Sequence, residues 1–131
     1  MTSRISLLLS ALLVALVAWT GPVLAEGDAK AGKKVFRKCA ACHTVQAGKH
    51  RVGPSLAGIV GMTPGTMEGY TKYSKAMKQF GADGNVWDEA TLDKFLAKPK
   101  KLIKKTKMAF AGVKKEKDRQ NVIAYIKSVS K

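Results

Sequence analysis

Two cysteines three residues apart, followed at once by a histidine, constrain this chain more than anything else in it: Cys39-Ala40-Ala41-Cys42-His43. They are its only cysteines, and His50 is its only other histidine. The domain around them is small. A chain of 131 residues has room for about one domain, and the first 25 residues read as something else. Arg4 is their only charge, Ile5 to Trp19 is almost continuously apolar, and Val23-Leu24-Ala25 offers small or modest side chains to a signal peptidase. Residues 1–25 are therefore expected to be a cleaved export signal. A retained anchor is the competing reading, but the apolar run is 15 residues long and Gly21-Pro22 follows it, short of the roughly 20 residues that a spanning helix needs. Residues 26–131 then carry 23 basic and 9 acidic side chains, a formal +14. A domain of that size has a thin core and leans on a cross-link or a bound group for stability.

C-x-x-C-H supplies such a group, since its order and spacing are those of covalent haem attachment. Residues i and i+3 of a helical turn share a face, so both sulfurs can reach the two vinyl groups on one haem edge. His43 can then turn beneath the macrocycle as an iron ligand. Three other uses of these residues are weaker. A thioredoxin-like dithiol expects alternating strands and helices, and no good strand run is present. A zinc site from Cys39, Cys42, His43 and His50 has the wrong spacings, and a plain disulfide leaves His43 without a role. For a sixth iron ligand, His50 lies in a Gly/Lys/Arg loop and reads as a solvated side chain. Among Met62, Met67, Met77 and Met108, each of which could simply fill core space, Met108 stands out. It ends the charged, irregular segment from Pro99 to Lys107, where an isolated apolar side chain must turn inward.

The helical pattern is independent of that chemistry. Asp28 can cap a helix running toward Cys39, with Val35, Phe36 and Cys39 on one face, and Ser74 can open a short helix that stops at Gly81. Asp88 occupies an N-cap position, and Leu92, Phe95 and Leu96 fall at i, i+3 and i+4 until Pro99 ends the run. A last helix carries Val122, Ile123, Tyr125 and Ile126. The fold class expected is all-α.

Taken in order along the chain, the residues resemble a class I c-type cytochrome, of the bacterial cytochrome c2 branch that is similar to mitochondrial cytochrome c. The match runs through Gly32-Lys33-Lys34-Val35-Phe36, the haem motif, Gly53-Pro54-Ser55-Leu56, Tyr73-Ser74, Trp87, Leu92, Lys98-Pro99-Lys100-Lys101, Thr106-Lys107-Met108-Ala109-Phe110 and Val122-Ile123-Ala124-Tyr125-Ile126. The sequence departs from the family where Met62, Met77 and Phe95 replace polar residues.

The resemblance implies a set of roles. The fold would be helices and loops wrapped around one covalent haem c, with Cys39 and Cys42 as the thioethers and His43 and Met108 as the axial ligands. Pro54 would present its carbonyl to the His43 ring, Tyr73 and Trp87 would contact the haem with Trp87 bonding a propionate, and Gly32 would let the first and last helices cross closely. With both axial positions filled, the expected task is one-electron transfer rather than enzyme catalysis, by a periplasmic monomer shuttling between a cytochrome bc complex and a terminal oxidase or photosynthetic reaction centre. A haem peroxidase or gas sensor is the alternative should Met108 be labile. Lys38, Lys100, Lys101, Lys104, Lys105 and Lys107 would form the docking face for acidic redox partners. Nucleic-acid binding is not expected, because no stacking or groove-reading motif accompanies the charge, nor is stable membrane insertion, because the apolar run is short.

Overall fold

Three of the described helices begin where a polar side chain satisfies the first free backbone N–H groups, and a fourth where a proline has none to satisfy. In the computed structural model, which describes residues 26–130, the Asp28 carboxylate accepts from the Lys30 and Ala31 amides and opens α1 (Ala29–Phe36). Ser74 Oγ accepts from Met77 N at 3.0 Å to open α2 (Lys75–Ala82). Asp88 Oδ1 accepts from Thr91 N at 2.7 Å to open α3 (Glu89–Ala97), and that bond holds the Asp88 carboxyl below its ordinary pKa. The segment after Pro99, expected to be irregular, begins instead with the short helix α4 (Pro99–Leu102), with the proline in its first turn. Proline's fixed φ is already helical and its missing N–H belongs to a group that has no helical partner there. α5 (Glu116–Ser128) closes the chain. Among the described residues there is no strand.

The core is one cluster to which every helix contributes, including Phe36, Trp87, Leu92, Phe95, Leu96, Val122, Ile123 and Ile126. Its frame is the crossing of α1 over α5. A Cβ on Gly32 would stand 1.9 Å from the Asn121 carbonyl oxygen, so only glycine lets the two backbones approach this closely. Beside the crossing, the Phe36 and Tyr125 rings pack with centroids 5.4 Å apart, and buried Asn121 accepts from Asp28 N through Oδ1 at 2.8 Å. Arg119 on α5 ties the frame to α3. Its Nε lies 2.7 Å from Asp93 Oδ1, and its Nη1 donates to the carbonyls of Val113 and Lys114. Met77 and Phe95, where the family pattern is polar, are both buried in this cluster.

The expected export signal at 1–25 lies outside the described residues. Among those described, no helix is long and apolar enough to cross a membrane.

Candidate functional site

The end of α1 delivers the C-x-x-C-H segment. After Phe36 the chain continues in tight turns, with Cys39 N and Ala40 N bonded to Phe36 O, then Cys42 N and His43 N both bonded to Cys39 O. That geometry is one helical turn spanning Cys39 to His43, which sets the two sulfur-bearing residues on one side of the chain. The two cysteines are not joined in a disulfide, and Cys39 is half-buried while Cys42 is exposed. Burial raises the Cys39 thiol pKa, partly offset by the neighbouring Lys38 ammonium.

His43 is held by the loop that follows. Its Nδ1 lies 2.7 Å from the Pro54 carbonyl oxygen. A carbonyl only accepts, so Nδ1 carries the proton, and in the neutral ring Nε2 keeps its lone pair. Burial lowers the His43 pKa, against the smaller opposing effect of the Pro54 bond, and so favours that neutral ring. The ring lies against Gly53, where a Cβ would come within 2.3 Å of Cε1. Gly53 N in turn donates to Cys42 O at 2.8 Å, locking this loop to the motif. An imidazole with one nitrogen oriented by a carbonyl and the other open is what a coordinated metal requires, so the residues fit an iron-bearing group.

The other site residues belong to or border the core cluster, each from a separate element. Trp87 is buried in the core cluster, and its backbone pairs with the 61–62 segment through Gly61 N to Trp87 O and Trp87 N to Met62 O, each 2.9 Å. Its ring lies 4.9 Å from Phe95. Cys39, Tyr73 and Met108 pack against this cluster as partly buried groups. Burial raises the Tyr73 phenol pKa, partly countered by a bond from the Met67 backbone. In the segment carrying Met108, Ile103 and Thr106 are buried while Lys104, Lys105 and Lys107 are exposed. Thr106 Oγ1 accepts from Met108 N at 3.2 Å. Core packing thus turns the methionine inward and the lysines outward.

His50 is not the solvated side chain its loop suggested. Its Nδ1 accepts from Ser55 N at 3.0 Å, so its Nε2–H donates to Glu68 O at 2.9 Å. Both ring nitrogens are occupied by backbone, and among the described residues no three His, Cys, Asp or Glu gather around a metal position. The zinc alternative therefore has no geometry. Ser55, with no exposed surface, donates through Oγ to Gln46 O at 2.7 Å, and Tyr70 packs edge-on against both His50 and Tyr73. His50 and Ser55 form a latch between the loop that seats His43 and the one that leads to Tyr73. Replacing His50 with alanine is expected to cost about 1–3 kcal/mol, since it strips the acceptor from a buried N–H. Guanidinium unfolding of the holoprotein measures this, and a loss below about 0.5 kcal/mol would show the latch to be dispensable.

The cytochrome c family model matches residues 29–130. The chain is 48% identical to cytochrome c of Euglena viridis over 104 residues, covering 79% of this chain and 98% of that protein. It is 46% identical to cytochrome c2 of Afifella marina over 99 residues, covering 75% of this chain and 79% of that one. Among solved structures, cytochrome cH from Methylobacterium extorquens superposes with a TM-score of 0.70 at 44% identity, covering 78% of this chain and 99% of that chain. A match that spans every described helix and the histidine seat leaves one assignment: the chain belongs to the cytochrome c family, whose members are electron carriers rather than enzymes and hold haem c covalently.

Proposed function

We propose that this chain is a periplasmic one-electron carrier, exported by residues 1–25 and working as a monomer with a His/Met-ligated haem. When bound, haem c supplies a reversible ferric/ferrous couple. Cys39 and Cys42 would hold it through thioethers, and His43 Nε2 and the Met108 sulfur would be its iron ligands. The observation that carries this reading is the 2.7 Å bond between His43 Nδ1 and the Pro54 carbonyl, because it fixes the tautomer, orients the ring and raises its basicity as a ligand. Trp87 would donate its indole N–H to a haem propionate, and Tyr73 would contact the haem.

Lys38, Lys98, Lys100, Lys101, Lys104, Lys105 and Lys107 are all exposed on the segments that carry the motif and Met108. Their field steers acidic redox proteins toward the site and weakens as salt screens it beyond about 8 Å at physiological ionic strength. The partners that suit such a carrier are a cytochrome bc complex as donor and a terminal oxidase or photosynthetic reaction centre as acceptor. Replacing Met108 with alanine tests the ligand set. The ferric wild type is expected to show the weak near-infrared charge-transfer band of Met–iron ligation, and the variant is expected to lose it completely with a fall in midpoint potential. A wild-type spectrum without that band would favour the second reading, a peroxidase or gas sensor with an open iron position.

A further inference from the structure

The residues that open the described chain are fixed to its far end. A Cβ on Gly27 would stand 2.1 Å from the Gln120 carbonyl oxygen and 2.7 Å from Asn121 N. Both atoms are backbone of α5, so Gly27 lies flat against that helix with no room for a side chain. Its φ is not positive, and the glycine is required by close approach rather than by backbone conformation. Asp28 is held by every polar group it has. Its N–H donates to Asn121 Oδ1 at 2.8 Å, its carbonyl accepts from Gly32 N at 2.8 Å, and its carboxylate accepts from Lys30 N and Ala31 N. Glu26 is exposed, and with Gly27 it lines a groove of about 260 Å³ shared with Glu89 and Asp93 of α3 and Ile123 and Lys127 of α5.

These residues directly follow the Ala25–Glu26 bond, where an export signal at 1–25 would be cut. A peptidase takes its substrate as an extended strand and pairs with backbone on both sides of the bond it hydrolyses. Whether a bond can be cut therefore follows from the burial and hydrogen bonding of the backbone around it. Here the second and third residues beyond the bond are committed to α5 and α1, and the first lies at a groove walled by α3 and α5. The partner of Asp28 N is Asn121, 93 residues away, so the seat does not exist until the last helix has packed. From this geometry we infer that folding closes the processing site: a signal peptidase hydrolyses Ala25–Glu26 only before α1 docks on α5, and a chain that folds first keeps residues 1–25. The inference rests on the reading of those residues as an export signal. In the open chain water adds across the amide, leaving a carboxylate on Ala25 and an ammonium on Glu26, with nothing oxidised or reduced. In the folded chain the start of the domain must first lift off α5, and the rate of cutting falls with the population of that opened form. The order of cleavage and folding thus decides which form of the carrier accumulates.

Purified full-length precursor, incubated with a signal peptidase in detergent micelles and followed by mass spectrometry, tests this. Haem-free precursor, whose thin core leaves the α1–α5 seat unmade, is expected to be cut after Ala25, and haem-loaded precursor at least about tenfold more slowly. Two variants locate the protection. A Gly-Ser-Gly-Ser spacer between Glu26 and Gly27 keeps both neighbours of the cut bond and leaves the seat intact, and it should return the haem-loaded form to nearly the haem-free rate. Gly27→Ala cannot seat its methyl on the α5 backbone and should also restore cutting, whereas His50→Ala, which weakens the fold elsewhere, should stay resistant. Equal rates for haem-free and haem-loaded wild type would overturn the proposal, as would a spacer variant that remains resistant. Equal cutting of Gly27→Ala and His50→Ala would overturn it too, by showing general loosening rather than a seat. Haem-free precursor that stays intact would instead overturn the underlying reading of residues 1–25 as a cleaved signal.

Discussion

Gly32→Ala is expected to destabilise the holoprotein by about 3 kcal/mol or more, against a total of roughly 5–15 kcal/mol for a domain of ordinary stability. The added methyl would stand 1.9 Å from the Asn121 carbonyl oxygen and 2.8 Å from Tyr125 Cβ. Both obstacles belong to α5, and the first is backbone inside a 13-residue helix, so it has little freedom to yield. Alanine's better helix propensity returns only about 1 kcal/mol. To relieve the clash the two helices must separate, which draws Phe36 away from Tyr125 and stretches the 2.8 Å bond from Asp28 N to Asn121 Oδ1. Guanidinium unfolding of the purified holoprotein gives the number. A midpoint indistinguishable from wild type would mean that the helix contact is looser than described.

Gly53→Ala is expected to act on the site rather than on the frame. Its methyl would approach His43 Cε1 to 2.3 Å and Nδ1 to 2.7 Å, so the ring must swing off the Pro54 carbonyl. Losing an orienting partner of this kind weakens metal binding by roughly 10–100-fold. The variant is expected to give less haem-loaded protein, altered reduced and oxidised spectra, and easier displacement of the histidine by added imidazole. Pro54→Ala is the informative comparison. The hydrogen bond is made by a backbone carbonyl, which alanine also has, so that variant should keep a near-wild-type spectrum. Equal spectral damage in both variants would show that the proline ring, not the carbonyl, is what matters.

These two glycines differ in how far sequence could take them. Gly32 sits in a recognisable pattern, and its closeness to the last helix follows from the family resemblance before any coordinates are considered. Gly53 carries no local mark of its role. It has no positive φ to flag it, and its need for a bare backbone arises only because the His43 ring, ten residues away in the chain, lies against it. His50 and Ser55 were obscured for the same reason. Their partners are backbone groups at positions 46 and 68, and a backbone carbonyl looks the same in every sequence. The short helix α4 was missed because four residues rich in lysine show no stripe, and its start depends on the proline's φ rather than on apolar spacing.

The amino-acid order by itself determined the haem attachment motif, the helix starts at Asp28, Ser74 and Asp88, and the apolar faces of α3 and α5, because thioether spacing, capping and periodicity are all local properties written within a few neighbours. Only the tertiary structure decided that Gly53 lies against the His43 ring, that His50 latches two loops, and that Gly27 lies flat against α5. Those features depend on surfaces brought together from distant parts of the chain, as with Asp28 and Asn121, 93 residues apart. Their energies come from close contact and hydrogen bonding, which exist only once the helices have packed.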